Sequence, residues 1–392
     1  MLGANVAPWP VYDEEERAAV AEVLCSGRVN YWTGEETRGF EREFAAFTDS
    51  TKAVAVANGT LALDLALAGL GIGPGDEVIV TPRTFIASVS CVVNAGATPV
   101  FADVERDSGN ISPRTIAPAL SERTKAIIPV HLAGWPCEMP AMIEQANTRG
   151  IAVVEDCAQA HGARIGGRSV GSFGVAGAWS FCQDKIISTG GEGGMVTTSD
   201  EALWSRMWSY KDHGKSWEAV YEREHAPGFR WLHESIGTNW RMLEIQGVIG
   251  RIQLRRMAEW HARRTAIAER YRTALAPHPD VVRVPWPGAD ETHAFYRFYA
   301  YVRPEALRPA WSRDRIVEEA TRLGVPLFHG TCSEVYREKA FDCTPWRPLQ
   351  RLPAAAELGE TTLMFLTHPT MTDAEVDHIA QTVAEILGEA TA

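Results

Sequence analysis

The chain has 392 residues, of which 45% are hydrophobic and 22% are charged; this excludes a disordered, collagen-like or coiled-coil protein and allows about two or three domains. Its 50 acidic residues outnumber its 38 basic ones, and because a net charge of −12 repels a phosphate backbone, nucleic acid is not an expected partner. The sequence shows neither the regions of a signal peptide nor a run of about 18 apolar residues, so we expect a soluble, cytoplasmic protein without a membrane partner.

Short apolar runs alternate with helical segments up to about residue 200, which is typical of an α/β fold. KAVAVA at 52–57 predicts a strand, and the leucines at 61–70 predict a helix. A second helix is expected at 84–96. Further strands are expected at 77–82, 98–104, 125–131, 151–157, 176–182 and 193–199. Because these runs lack alternating polar positions, we expect a mostly parallel seven-stranded sheet covered by helices on both faces.

The pattern changes beyond about residue 240. Residues 244–275 predict one long amphipathic helix with an apolar face. The residues of that face are Ile245, Val248, Ile249 and Ile252. A strand at 293–302, a helix at 312–324, a proline-rich stretch at 344–348 and a closing helix at 373–387 follow. We therefore predict a large domain at 1–255 and a smaller α+β domain at 256–392, with the boundary near 255–280.

Two candidate site features lie where predicted strands end, and open α/β sheets bind ligands beyond the carboxyl ends of their strands. Gly59 and Thr60 begin a helix directly after a strand, so their N–H groups can hold a phosphate; an ordinary helix N-cap has the same pattern. Asp156 ends the run at 151–156, where its carboxylate can pair with a protonated ring nitrogen or cap a helix. Gln159 and His161 follow it within one or two turns.

Lys185 lies between an apolar run and the glycine-rich segment STGGEGG at 188–194. Partial desolvation there would lower the pKa of its amine and make it a nucleophile, whereas a surface lysine would explain the same sequence. Ser180 can add a hydroxyl to an anion site and Phe85 can lie against a planar ring, although both residue types are common in ordinary strands and cores. An anion cradle, a carboxylate, a buried amine and an aromatic plate are together the set that pyridoxal phosphate requires.

The seven cysteines stand singly along the sequence. None has the C-x-x-C spacing of a zinc site or a redox pair. We therefore expect reduced thiols and no metal site.

Seven stretches of the chain, in order, resemble the sugar aminotransferases of the DegT/DnrJ/EryC1/StrS family. They are VANGTLALDLAL, GPGDEVIVTPRTFIAS, AGATPVFADV, IPVHLAG, VVEDCAQAHGA, WSFCQDKIISTGGEGGMV and GTNWRMLEIQ. The resemblance runs from about Pro8 to the C-terminus, and so many ordered matches are more specific than one glycine motif. It implies the aspartate-aminotransferase-like fold of fold-type I pyridoxal-phosphate enzymes, with a large domain and a smaller C-terminal α+β domain.

The resemblance also implies roles for the candidate residues around the cofactor ring. Lys185 would form the Schiff base with pyridoxal phosphate, and Asp156 would pair with the pyridine nitrogen. Gln159 would contact the phenolic oxygen of the ring, and Phe85 would stack on it.

The phosphate site implied by the resemblance combines two subunits. Gly59, Thr60 and Ser180 would bind the phosphate within one subunit. Asn239 in GTNWR matches an asparagine that reaches the phosphate of the neighbouring subunit, and it can also cap a helix. The resemblance therefore implies a two-fold symmetric homodimer with its active site at the interface.

The activity implied is a two-stage transamination through pyridoxamine phosphate, in which Lys185 moves a proton. The amino donor would be an amino acid, glutamate in most such enzymes, and the acceptor a keto sugar, here a nucleotide-linked keto-hexose used for a polysaccharide or a secondary metabolite. An aminotransferase acting on a keto-cyclitol and a pyridoxal-phosphate-dependent dehydratase or synthase are alternatives. Lysine at 185, where dehydratases of the family carry histidine, argues against a dehydratase, and a non-catalytic regulator is the least favoured interpretation.

A charged region after residue 208 is the candidate for substrate contacts. His213 matches an HG element of the family. With Lys211, Lys215 and Arg230 it can face a sugar or a diphosphate, although charged residues in loops are usually only solvated. The segment 215–235 is rich in tryptophan and histidine for a loop, so we expect it either to shape the acceptor pocket or to fill an interface.

Overall fold

The computed structural model describes residues 6–391. Its helices are α1 (Glu14–Ser26), α2 (Glu36–Phe47), α3 (Gly59–Leu70), α4 (Ala87–Asn94), α5 (Pro113–Ile116), α6 (Met139–Asn147), α7 (Glu201–Tyr210), α8 (Trp217–Tyr221), α9 (Glu244–Arg255), α10 (Met257–Leu275), α11 (Arg313–Arg322), α12 (Pro353–Thr361) and α13 (Asp373–Ala390). Among residues 6–391, none of these helices has the length and apolar character needed to cross a membrane.

The strands form one large sheet and two smaller ones. They are β1 (Lys52–Val56), β2 (Glu77–Val80), β3 (Thr98–Phe101), β4 (Thr124–Ile128), β5 (Ala152–Asp156), β6 (Arg164–Ile165), β7 (Arg168–Ser169), β8 (Ala176–Ser180), β9 (Gly194–Thr198), β10 (Val282–Arg283), β11 (Glu291–Thr292), β12 (Arg297–Val302), β13 (Leu327–Phe328) and β14 (Thr362–Leu366). The smallest sheet joins β11 to β6 and β7.

The large sheet has the order β1-β9-β8-β5-β4-β2-β3. Its strands are parallel except for β9, which is antiparallel to both β1 and β8. This confirms the predicted α/β fold with a mostly parallel seven-stranded sheet. Because β1, β2, β4, β5 and β8 run in one direction, their carboxyl ends meet at one edge, where a ligand site is expected.

Alternate residues of the central strands contact opposite helical layers, since side chains alternate across a strand. In β1, Val54 and Val56 join the core shared with α3, α4 and α7, whereas Ala53 and Ala55 join the core shared with α2. Every residue of β2, β8 and β9 is buried. The sheet is therefore covered on both faces, which explains the continuous apolar runs in the sequence.

The C-terminal part of the chain has its own antiparallel sheet, in the order β10-β12-β14-β13. Helices α10, α11 and α13 pack on it around Tyr271, Phe298, Phe365 and Val383. This confirms the α+β character predicted for this part. The domain limits 1–255 and 256–392 remain a prediction. Several residues of the C-terminal part, among them Val335, Phe341 and Leu358, pack into the cores of the large sheet.

The prediction of a single long helix over 244–275 is wrong in one respect, because the helix is interrupted at Arg256. Val248 and Ile249 of α9 pack with Val23 of α1, which confirms the predicted apolar face, whereas α10 packs into the C-terminal core. The two halves bury their apolar faces against different partners. The guanidinium of Arg256 also lies 2.7 Å from the carboxylate of Asp13.

Candidate active site

Asp156 is buried at the carboxyl edge of the large sheet, as the last residue of β5. Its Oδ2 accepts a hydrogen bond from the Ser88 hydroxyl at 2.7 Å, and its Oδ1 accepts one from the N–H of Ala158 at 3.1 Å. Burial raises the pKa of this carboxyl, and the bond from Ser88 opposes the rise. The two bonds fix the direction of the carboxylate and leave it further lone pairs for a ligand.

The preceding residue, Glu155, anchors the end of β5 to the surrounding backbone. Its carboxylate accepts hydrogen bonds from the N–H groups of Gly171 at 2.8 Å and Gly174 at 2.7 Å. The Nε2 of His131 lies 3.0 Å from the same carboxylate, and the Nδ1 of His131 accepts a bond from the backbone of Cys137. These bonds satisfy a fully buried carboxylate and hold Asp156 in place.

Lys185 lies in the loop between β8 and β9, with 17% of its side chain exposed. Its Nζ lies 3.4 Å from the hydroxyl of Tyr296 and 3.4 Å from Oδ1 of Asp184. Burial lowers the pKa of this amine, but Tyr296 and Asp184 outweigh burial and hold the pKa above its usual value. The predicted lowering of the pKa is therefore wrong, because Tyr296 and the Asp184 carboxylate both stand beside the amine.

Lys185 and Asp156 influence each other through space. The ammonium of Lys185 stabilises the Asp156 carboxylate and opposes the effect of burial on its pKa. Together with burial, the same ammonium lowers the pKa of the buried His161 to about 3. The amine and the carboxylate therefore lie within electrostatic range of each other at the same edge of the sheet.

The N-terminus of α3 faces the end of β8. Asn58 caps the helix by accepting the N–H of Leu61 at 3.0 Å, while the N–H groups of Gly59 and Thr60 lie in the first turn and have no intrahelical acceptor. A Cβ at Gly59 would lie 2.5 Å from the Cβ of Ser180, so the close approach of these two segments requires glycine. Free N–H groups, the helix dipole and the Ser180 hydroxyl form a cradle suited to an anion.

Two further predicted residues lie on loops at this edge. Phe85 follows β2 and leaves 67% of its surface exposed, which is unusual for so large an apolar side chain. Gln159 follows β5 and is almost buried; its amide oxygen accepts the N–H of Ala133 at 2.7 Å, which leaves its NH2 group as a donor. An exposed aromatic face and an amide donor are suited to a planar, polar heterocycle.

These residues fit pyridoxal phosphate. The first turn of α3 and Ser180 suit its phosphate, and the carboxylate of Asp156 suits a protonated pyridine nitrogen. Phe85 offers an apolar face to the ring, and Lys185 offers an amine to the aldehyde carbon.

The family model of the DegT/DnrJ/EryC1/StrS aminotransferases matches residues 10–384. The chain belongs to this family. It is 35% identical over 384 residues to the spore coat polysaccharide biosynthesis protein SpsC of Bacillus subtilis, covering 96% of each chain. It is 43% identical over 267 residues to the dTDP-3-amino-3,4,6-trideoxy-alpha-D-glucose transaminase of Streptomyces venezuelae, covering 68% of this chain and 67% of that one.

Among solved structures, the aminotransferase from Psychrobacter cryohalolentis superimposes with a TM-score of 0.97 at 58% sequence identity, covering 98% of this chain and 99% of that one. The resemblance seen in the sequence is therefore confirmed, and so is the aspartate-aminotransferase-like fold. The protein is a pyridoxal-phosphate-dependent aminotransferase.

Three of the remaining predicted residues of the aminotransferase lie on its surface. His213 and Arg230 are exposed, and His213 has a left-handed backbone conformation with φ of 61°. Asn239 is exposed as well. The carbonyl of the next residue, Trp240, accepts the N–H of Ala57 at 3.0 Å, so Asn239 lies beside the end of β1.

Lys211 occupies a different environment from the exposed loop expected for it. It is fully buried, and its Nζ lies 3.4 Å from the centroid of the Tyr31 ring. Burial lowers the pKa of this amine to about 8, against the opposing effect of Glu41. In this position its amine is enclosed, whereas a direct contact with a substrate requires an accessible group.

Four residues at the site were missed by the sequence reasoning. Ser88 orients Asp156 from α4, and Asp184 stands beside Lys185. Tyr296 reaches the same amine from a position 111 residues away, and the indole N–H of Trp9 donates to the backbone carbonyl of Lys185 at 2.8 Å. A polar residue directly before Lys185 was visible in the sequence, but nothing there indicates contacts from 9 or 296.

Proposed function

We propose that this aminotransferase moves an amino group from L-glutamate to a keto sugar, a keto-hexose linked to a nucleotide, to make an amino sugar for a polysaccharide or a secondary metabolite. The observation that carries the chemistry is the largely buried amine of Lys185, 17% exposed, within electrostatic range of the buried Asp156 carboxylate. The acceptor class is supported by two relatives, one named for spore coat polysaccharide biosynthesis and the other as a transaminase of a dTDP-linked sugar.

The proposed roles of the site residues follow from their environments. When bound, pyridoxal phosphate supplies an electron sink for removal of a proton beside the reacting nitrogen. Asp156, fixed by Ser88, holds a proton at the pyridine nitrogen, and the Nζ of Lys185 accepts and returns the migrating proton as general base and acid. Gly59 and Thr60 donate backbone N–H groups to the phosphate.

The exposed chain after α8 is the proposed acceptor surface. In this segment, defined as residues 222–236, Arg230 carries an exposed guanidinium suited to the diphosphate of a nucleotide sugar. Phe229 and Trp231 lie beside it with ring centroids 4.9 Å apart and offer faces to a sugar or a base. The exposed imidazole of His213 lies just before α8 and is the second proposed substrate contact.

A homodimer is part of the proposal. Asn239 is exposed, so its amide is free to cross a two-fold interface to the phosphate site of a partner subunit. Mixing inactive Lys185→Ala and inactive Asn239→Ala chains tests this arrangement. If the site is shared, each mixed dimer will contain one intact site, and about half of the dimers in an equal mixture will be mixed. If Asn239 acts within its own subunit, no activity will return.

The acceptor is tested with the pyridoxamine form of the enzyme. That form is incubated with a panel of dTDP-, UDP- and GDP-linked keto-hexoses, free keto sugars and keto-cyclitols. Only a nucleotide-linked keto-hexose should restore the absorbance of the aldehyde form of the cofactor. If only a keto-cyclitol restores the aldehyde form, the proposed acceptor is a keto-cyclitol and not a keto sugar. Release of water from the sugar without consumption of L-glutamate would identify a dehydratase. Offering other amino acids in the first stage tests the donor.

A further inference from the structure

The loop before Lys185 places a second carboxylate next to the reactive amine. Asp184 is the residue immediately before Lys185, and 46% of its side chain is exposed. One carboxylate oxygen lies 3.4 Å from the Nζ of Lys185, and the other accepts a hydrogen bond from the hydroxyl of Tyr296. Tyr296 itself lies 3.4 Å from the same Nζ, so the three groups form a closed triangle.

We infer that Asp184 and Tyr296 form a docking point for the protonated amine of Lys185, and that both are positioning residues for this amine. An ammonium has three N–H donors, and the triangle supplies two acceptors on one side of it. The Tyr296 hydroxyl donates to Asp184, which fixes the carboxylate, and its lone pair remains available to Lys185. The ring of Tyr296 also lies 5.0 Å from the Nζ, close enough for a cation–π contact.

The other charged and titratable groups around the amine make this docking point necessary. Arg297 lies over the Tyr296 ring at 4.1 Å and disfavours a second positive charge beside it. His161, on the loop after β5, is neutral and adds no second positive charge near the amine, because burial depresses its pKa to about 3. Asp156, at the end of β5, is directed by Ser88 and Ala158 and is assigned to the cofactor nitrogen.

The consequence concerns the interval in which Lys185 is not joined to the cofactor. Docked on Asp184, the amine stays charged and aligned within the site, and it must lose its proton before it can bond to an aldehyde carbon. The carboxylate therefore sets the pH at which the neutral amine becomes available. This inference depends on the aminotransferase chemistry of Lys185 and is independent of the sugar acceptor.

The direct test measures the protonation of Lys185 in the cofactor-free protein. The chain has only six lysines, so labelling with ε-13C lysine gives six resolved signals, and Lys185→Arg assigns the one of interest. Asp184→Asn should lower the titration midpoint of this signal by about one pH unit or more, the effect of an opposite charge at contact distance. Tyr296→Phe should lower it by less, since the carboxylate remains.

Controls separate this effect from a general disturbance. Asp342→Asn removes an exposed carboxylate that pairs with Arg347 on the surface, and it should leave the Lys185 midpoint unchanged. Asp184→Glu should restore part of the shift. In every variant the five other lysine signals should keep their positions, which shows that the fold is intact.

The second readout is the pH dependence of cofactor capture. The rate at which the visible absorbance band of the lysine-bound cofactor forms should rise at a lower pH in Asp184→Asn than in the wild type. An unchanged Lys185 midpoint in Asp184→Asn, with an intact fold, overturns the inference. Because no sugar enters either experiment, failure of the proposed acceptor would appear only in the acceptor panel and would leave this result standing.

Discussion

The carboxyl end of β5 and the segment 222–236 are built on opposite principles. At the end of β5, Glu155 and Asp156 are buried and accept hydrogen bonds from backbone N–H groups and from Ser88. In the segment, Trp231 is 81% exposed and Ile236 is 92% exposed. The first region holds charges in one geometry, which proton transfer requires, whereas the second presents apolar surface suited to binding. In the proposed function, the chemistry and the choice of acceptor therefore belong to separate parts of the chain.

The largest expected effect comes from the buried region. Lys185→Ala should abolish transamination, with a fall in rate of about 10²–10⁴-fold or more, since it removes both the nucleophile and the proton carrier. The visible absorbance of the bound cofactor should also disappear. The matched control is Lys125→Ala, which removes an exposed lysine. Retention of the absorbance band in Lys185→Ala would contradict the site as described.

Gly59→Ala tests the phosphate cradle. The new Cβ would lie 2.5 Å from the Cβ of Ser180, so the first turn of α3 must move at a cost of about 1–3 kcal/mol. We expect affinity for pyridoxal phosphate, measured by fluorescence titration, to fall roughly 10- to 100-fold. In Gly73→Ala the nearest atom is 3.7 Å away, so this control should bind the cofactor normally. Equal affinities in the two variants would place the phosphate elsewhere.

Trp231→Ala tests the exposed segment. The substitution removes one aromatic face, which contributes about 1–2 kcal/mol to binding of the keto acceptor. The KM for this acceptor should therefore rise about 5- to 20-fold, while the rate of the half-reaction with L-glutamate stays unchanged. Leu349→Ala, at another exposed apolar side chain, should alter neither stage. A slower glutamate stage in Trp231→Ala would show that the segment serves the chemistry as well, and the separation of roles would fail.

The last expected effect is a pH dependence of stability at His161. Burial lowers its pKa from 6.5 to about 3, so between these values the unfolded chain binds a proton that the folded chain does not, and the free energy of unfolding falls with falling pH. From about pH 6 to pH 4, this fall should be shallower in His161→Leu by up to about 1.4 kcal/mol per pH unit. Urea unfolding at a series of pH values measures the slope. The exposed His378→Leu should keep the wild-type slope.

Sequence reasoning succeeded where one short segment determines both the fold and the chemistry. An apolar run that ends in Asp156 predicts a buried strand and, at the same time, a carboxylate at the edge of the sheet. The sequence Asn58-Gly59-Thr60 likewise predicts the start of α3 and its free N–H groups. These features depend on local backbone preferences and on side-chain patterns that the sequence displays directly.

Sequence reasoning failed where segments distant in the sequence contact each other. The sequence shows that Lys185 follows an apolar strand, but the direction of its pKa shift depends on Tyr296, which approaches from just before β12. The break at Arg256 has a similar origin, because the periodicity of 244–275 is helical throughout and the different packing partners of α9 and α10 appear only in the folded chain. The burial of Lys211 beneath Tyr31 is also a tertiary effect.

The short stretch before α1 ties three parts of the molecule together. The backbone N–H of Ala7 bonds to Glu375 on α13, the carbonyl of Pro8 accepts a bond from Thr370, and the indole of Trp9 bonds to the carbonyl of Lys185. This stretch therefore links α13 to the loop that carries the reactive amine. Variants shortened through residue 9 to aid crystallisation would lose these three hydrogen bonds, including the one to the backbone of Lys185.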